Sequence, residues 1–351
     1  MSICHNYRKF VAQKQHIYLL MKRQSLYKKI AIILLSSCIF ACGDDNEASS
    51  GKSLKNDNKN TIGNKYVTGN FEFPKVKGGT SKVIVYTATA ADERKYGMNY
   101  AVEWDCEKKS QRWSCYRFDN SNRLTGKRKD RKTSVVRWYP DDKDYPGTIY
   151  GDTKYPNRKY PFDYKNLSAD EMLEDLYSDA RCDHGHICPS ADRLYSQEAN
   201  IETFFMTNMQ PQYANFNQKG LWYYMEDRTR RYANNLTAKD TLYIVKGGTI
   251  DKDDQIITKI KNKLIIPKYF YTAYLMWRPM NNSTDRNDPT NYKAMAFWFP
   301  HEDKAVSSSV DMKPYMISID ELEKKTGIDF FCNLPDVVEN AVEAKLSTSA
   351  W

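Results

Sequence analysis

The sequence predicts a mixed α+β fold built as one domain, on three observations. Strand-like runs cluster early in the globular part, and helical patterns are interspersed later without regular β-α-β alternation. From about Lys82 onward there is no internal repeat and no second linker. With 41% hydrophobic and 13% aromatic residues in 351, the chain has enough apolar material for one large core.

Residues 1–42 read as an export signal. Lys28 and Lys29 precede the apolar run Ile30–Leu35, and Ile39-Phe40-Ala41-Cys42 follows. Such a run is too short to span a bilayer, and it ends on a small residue before a cysteine. The pattern resembles a lipobox, which makes Cys42 the expected lipidation site. Cys38 fits the same pattern, but Cys42 leads directly into the hydrophilic Gly43-Asp44-Asp45. Met21 offers an alternative start, since residues 1–20 fit no signal region. The implied location is the cell envelope, as an outer-membrane lipoprotein that is surface-exposed or periplasmic, with the membrane as partner through the lipid. An ordinary cleaved secretory signal is the competing reading.

Residues 43–80 are expected to form a flexible tether, because Glu47 to Asn70 is rich in Ser, Asn, Lys and Gly and nearly devoid of apolar residues. Residues 81–351 then make the domain. Lys82–Thr87 is β-branched and aromatic, and Asn99–Cys106 with Arg112–Asp119 suggests a hairpin around Lys108-Lys109-Ser110-Gln111. Further strands are expected at Thr241–Lys246, closed by Gly247-Gly248, at Tyr269–Trp277 and at Lys293–Phe299. Helices are expected at Trp222–Ala233, Ser318–Thr326 and Asp336–Lys345, with Ser318 and Glu321 as a capping box and Gly327 just past the helix end.

Net charge identifies no partner. Residues 1–42 carry seven basic residues and no acid; the remainder has 46 Lys+Arg against 44 Asp+Glu, a balance of +2. Of the eight cysteines, five remain once Cys4, Cys38 and Cys42 are set aside: Cys106, Cys115, Cys182, Cys188 and Cys332. Five is odd, so at least one thiol stays free or pairs between chains, and the spacings resemble no zinc ribbon.

Beyond the signal there are three histidines, His184, His186 and His301, and two of them flank Gly185. That glycine suggests a compact, close-approach turn. A neutral imidazole there can act as general base toward water near pH 7. The bland alternative for such a pair is a satisfied polar contact.

The stretch Asp183-His184-Gly185-His186-Ile187-Cys188-Pro189-Ser190-Ala191-Asp192-Arg193 resembles the active-site motif of the DNA/RNA non-specific endonucleases, the ββα-metal nucleases, which usually begin it Asp-Arg-Gly-His. The likeness continues through Thr207-Asn208-Met209-Gln210-Pro211-Gln212, Phe216-Asn217 and Gly220-Leu221-Trp222 to Glu226 and Arg230. Near the end, Leu322-Glu323-Lys324-Lys325-Thr326-Gly327 and Asn333-Leu334-Pro335-Asp336 are similar too. Several spaced motifs in order are far more specific than one tetrapeptide.

The resemblance implies a central antiparallel β-sheet with packed helices and a ββα-metal finger carrying His186 and Asn217. It implies hydrolysis of DNA and RNA phosphodiester bonds to 5′-phosphates with little sequence preference. His186 matches the general base and Asn217 the single protein ligand of one Mg²⁺ (or Mn²⁺) ion, a cation that often keeps most of its waters. Glu226 matches a carboxylate that steadies metal-bound water, Arg230 a cation near the scissile phosphate, and Asn208 an amide that orders the site. Taken separately, Glu226 and Arg230 could be a surface i,i+4 pair and Asn217 a helix cap.

Two departures stand out. His184 occupies the place of the family's arginine, so a histidine performing that task would have to be protonated while His186 is neutral. The Asn217–Glu226 spacing is one residue longer, with Lys219 as the insertion. Upstream, eleven Lys or Arg lie between Glu107 and Arg137, interleaved with Trp113 and Tyr116. They read either as a phosphate- and base-contacting stretch or as a solvated hairpin. Arg137 is the candidate for the upstream substrate-binding arginine. The rival functions are a lipoprotein that captures nucleic acid without efficient cleavage, and an antibacterial nuclease toxin. No protein partner can be inferred.

Overall fold

The computed structural model describes residues 55–123, 162–163, 165–280 and 283–347. Residues 1–42 with Cys42, the first part of the tether and Arg137 lie outside them.

A seven-stranded antiparallel sheet forms the middle of the domain. Its strands are β1 (Ser81–Tyr86), β2 (Tyr100–Asp105), β3 (Ser110–Phe118), β6 (Thr241–Gly248), β9 (Tyr269–Trp277), β10 (Tyr292–Pro300) and the short edge strand β11 (Met316–Ile317), in that spatial order. The expected hairpin is β2–β3, which pairs from Ala101↔Cys115 to Asp105↔Ser110 with a bulge at Glu103/Trp104. Strands β6, β9 and β10 lie where the aromatic and β-branched runs predicted them. Both faces of the sheet are covered, so these strands are apolar nearly throughout instead of alternating with polar residues.

Alternation divides each strand between two cores. Leu242, Ile244, Tyr274, Met276 and Phe297 face one side, together with Ile187, Phe204, Trp222 and Met225. Tyr243, Val245, Ala273, Leu275 and Ala296 face the other, together with Phe73, Leu322, Phe330, Leu334 and Val338. On this second side lie α1 (Lys65–Gly69), α7 (Ile319–Thr326) and α8 (Asp336–Glu343). Ser318 Oγ accepts the Glu321 N–H at 3.2 Å to start α7, and Gly327 ends it at φ 76°, a conformation suited to glycine.

The tether prediction fails beyond residue 54. Residues 55–80 are packed on the domain, with Phe73 and Glu72 fully buried and Val67 nearly so. Side-chain hydrogen bonds to backbone hold this segment more than apolar periodicity does. Asn333 Nδ2 donates to the carbonyls of Val67 (2.8 Å) and Asn70 (2.6 Å), and Asn60 Nδ2 donates to Pro74 O at 3.0 Å. Asparagine reads as linker in composition, yet these amides satisfy buried backbone groups.

The helix α2 (Ala90–Tyr96) connects β1 to β2, and the first side carries α3 (Tyr177–Ala180), α4 (Gln197–Glu202), α5 (Ala214–Lys219) and α6 (Leu221–Asn234), with the two-stranded ribbon of β4 (Asp183–His186) and β5 (Met209–Gln212). A second ribbon joins β7 (Ile256–Ile260) to β8 (Leu264–Pro267). All five cysteines among the described residues are free thiols. No helix among the described residues is long and apolar enough to cross a membrane.

Candidate active site

The His184-Gly185-His186 segment is a strand, not the expected turn. It pairs antiparallel with β5, Gly185 opposite Gln210 and His186 opposite Met209. The close approach inferred for Gly185 holds, because a Cβ there would lie 2.2 Å from Cδ of the buried Gln212 side chain. Gln210 ties the ribbon to the main sheet, accepting Gly248 N–H at 2.6 Å and donating to Gln111 O at 3.1 Å. Two short strands followed by α5 and α6 therefore present β4 from a rigid base.

Asn217 and Asp183 are joined directly. Asn217 Nδ2 donates to Asp183 Oδ2 at 3.0 Å, and Gln218 Nε2 donates to the same oxygen at 2.8 Å. An ionised carboxylate only accepts, so Asn217 must turn its nitrogen to Asp183 and keep its carbonyl oxygen for another partner. Such an oxygen is a hard donor of the kind a divalent cation takes. Asp183 belongs to the motif read from the sequence, but its role as the orienting group became visible only from its contact with α5.

His186 is half-buried, its carbonyl accepts Trp222 Nε1–H at 3.2 Å, and its ring meets Phe204 edge-on at 4.8 Å. The fully buried Trp222 sits near the start of α6, so the strand with the histidine and the helix with Glu226 and Arg230 are locked together. Asn208 is fully buried and works inside the scaffold. It donates to Cys188 O and Thr203 O, both at 2.8 Å, and accepts Cys188 N–H at 2.9 Å, which fixes the chain after His186.

Glu226 and Arg230 form the i,i+4 pair at 3.9 Å, and a third residue joins them. Arg230 Nη1 lies 3.3 Å from Asp192 Oδ1, while Asp192 Oδ2 accepts the Tyr116 hydroxyl at 2.7 Å. Burial works against the Arg230 charge, but Asp192 and Glu226 outweigh it and hold the guanidinium protonated. Beneath them Lys246 is fully buried, over the rings of Trp222 (5.5 Å) and Tyr116 (5.8 Å). Burial lowers its pKa from the ordinary lysine value, against the pull of Asp192 and Glu226. Neither Asp192 nor Lys246 was singled out from sequence. Asp192 lies within the motif, whereas Lys246 reads as an interruption in an apolar strand.

His184 is engaged elsewhere in the site. Its Nε2 lies 3.0 and 3.1 Å from the two Asp175 oxygens, and its ring stacks on Tyr177 at 4.1 Å. Lys219 lies where α5 meets α6, its carbonyl accepting Val306 N–H at 3.0 Å.

The upstream basic stretch is largely structural where it is described. Trp113 and Tyr116 are fully buried, so neither offers a face for stacking on bases. Arg112 is buried between Glu103, Asp105 (2.8 Å) and Asp251 (2.6 Å), and Arg117 pairs with Asp119 at 3.3 Å.

The model of the DNA/RNA non-specific endonuclease family matches residues 78–337. A protein named Nuclease from Nostoc sp. is 32% identical over 173 residues, covering 49% of this chain and 58% of the relative. Nuclease 1, mitochondrial, from Schizosaccharomyces pombe is 26% identical over 190 residues, covering 51% of this chain and 56% of the relative. The chain thus spans a little over half the length of these curated relatives. A chain from a crystal structure of the EndoG/EndoGI complex aligns with TM-score 0.42 and 17% identity, over 67% of this chain and 83% of the other.

Proposed function

The chain belongs to the family of DNA/RNA non-specific endonucleases, and on that premise we propose that it is a metal-dependent endonuclease cutting DNA and RNA. The observation that carries this reading is the Asp183–Asn217 hydrogen bond at 3.0 Å, which engages the amide nitrogen and leaves its oxygen for a cation, on a residue joined to the strand that bears His186. Asn217 would hold one Mg²⁺ or Mn²⁺ ion, with Glu226 beside it to order water. Bound there, the cation supplies electrophilic stabilisation of charge on the phosphate and on the departing 3′ oxygen.

The remaining work falls to the chain's own residues. His186 takes a proton from the attacking water as the new P–O bond forms and the bond to the 3′ oxygen breaks, leaving a 5′-phosphate. Arg230, kept charged by Asp192 and Glu226, faces the phosphate as a fixed cation. Contacts confined to phosphate carry no base information, so cleavage is expected to show little sequence preference. We further propose that lipid on Cys42 holds the protein to the cell envelope.

The test is cleavage of plasmid DNA and of RNA by the full chain, with and without chelator. Both substrates should be cut, and chelation should abolish cutting. His186→Ala should lose at least about a hundredfold in rate while still binding DNA. Activity surviving chelation would overturn the metal, and a variant within about tenfold of the parent would overturn the base. Cys42→Ser should leave the membrane fraction; retention there would overturn the anchor.

A further inference from the structure

Carboxylates gather on the side of the sheet away from His186. Asp320 and Glu323 stand three residues apart on α7, and Glu343 reaches them from α8; one ligand atom of each lies within 4.8 Å of the other two. Glu343 is 5% exposed, and its Oε1 is buried with no hydrogen-bond partner among the described residues. A buried carboxylate with an orphaned oxygen, beside two further carboxylates, demands a compensating positive charge or a proton.

Among the described residues, the nearby lysines are engaged elsewhere. Lys325 Nζ pairs with Glu321 at 3.5 Å, and Lys75 Nζ donates to the carbonyls of Asn58 (2.6 Å) and Lys59 (2.9 Å). Lys324 lowers the Glu323 pKa only as a minor influence. Asn58 Nδ2 is shared by Asp329 (3.1 Å) and Glu339 (2.9 Å), and Phe330 N–H goes to Glu323 Oε1 at 2.8 Å.

We propose that Asp320, Glu323 and Glu343 bind a calcium ion, a second cation site that clamps α7 to α8 and is separate from the cleavage site. The donors are all carboxylate oxygens, as a hard cation requires. Their mutual spacing suits one ion with each ligand about 2.3–2.6 Å away. Calcium fits better than magnesium because it accepts several carboxylates in irregular geometry, whereas magnesium keeps its waters. The ion relieves the mutual repulsion of the three clustered acids.

Calcium chloride titrated into the full chain carrying Asn217→Ala, by calorimetry and by thermal unfolding near neutral pH, tests the site apart from the cleavage centre. One ion should bind with Kd of about 10⁻⁴ to 10⁻³ M and raise Tm by a few degrees. Adding Glu343→Gln should remove that rise and weaken binding by at least about tenfold. Since this change neutralises a buried acid, the variant is expected to fold at least as well without calcium. Asp320→Asn, at a half-buried position, provides a second variant with the same expected loss. The absence of both heat and Tm shift would overturn the proposal, as would a response unchanged in both variants. An equal response to magnesium would overturn the choice of calcium.

Discussion

Protonating His301 is expected to loosen the helix that carries Asn217. The ring is 4% exposed, with Nδ1–H donating to Pro267 O at 2.8 Å and Nε2 accepting Tyr213 N–H at 2.9 Å. It stacks on Tyr213 at 4.3 Å and meets Phe216 edge-on at 5.0 Å, just where α5 begins. A protonated ring cannot accept from Tyr213 and would be a charge in an apolar wall. Burial therefore lowers its pKa from 6.5 to about 4, although the bond to Pro267 and the charge of Asp303 oppose this. The unfolded chain binds this proton first, so the stability His301 contributes is complete above pH 6.5 and lost as pH falls toward 4. The gap is worth about 3 kcal/mol in full, of which about 2 kcal/mol should be gone by about pH 5. Buried acids pull the other way: burial holds Glu202 at about 7 and Glu339 at about 8, so the folded state keeps their protons and loses stability as pH rises. The His301 contribution must therefore be read as a difference. Urea unfolding of wild type and His301→Gln should show a stability gap that narrows by about 2 kcal/mol between about pH 7.5 and 5. A gap constant across that range would refute the reasoning.

Three further outcomes follow from the site. Gly185→Ala should destabilise the fold by about 1–3 kcal/mol in thermal or urea unfolding, because the new methyl would meet the Gln212 side chain at 2.2 Å; an unchanged Tm would mean that Gln212 swings clear. Asp183→Ala removes the acceptor for Asn217 and Gln218. The Mg²⁺ concentration for half-maximal cleavage should then rise by about 10–100-fold with Tm little altered, and an unaltered metal requirement would show that Asn217 needs no orienting partner. His184→Arg should lower KM for DNA, because Asp175 already occupies the imidazole Nε2 whereas an arginine offers further N–H donors to a phosphate. An unchanged KM would leave His184 as a brace on Asp175 and Tyr177.

Much of the sheet was legible in the chain. Tyr269–Trp277 and the run around Lys293–Phe299 announce themselves because both faces of those strands are buried, and the Ser318 and Gly327 signals mark α7 through contacts within one helical turn. The order and spacing of Asp183, His186, Asn208, Asn217, Glu226 and Arg230 were legible for the same reason: each lies in a local word. Other features were decided only when distant segments met. β4 holds two histidines and a glycine and is a strand because β5 pairs with it. Asn60 and Asn333 turn an apparent tether into wall. Trp113, Tyr116 and Arg112, basic and aromatic in a row, became core and buried ion pairs once Asp192 and Asp251 reached them. Local propensity acts between neighbours a few residues apart, so sequence alone can display it. The partner that neutralises Arg230, orients Asn217 or stands beside Glu343 arrives from about 20 to 38 residues away, and only the packed chain determines which groups lose water together.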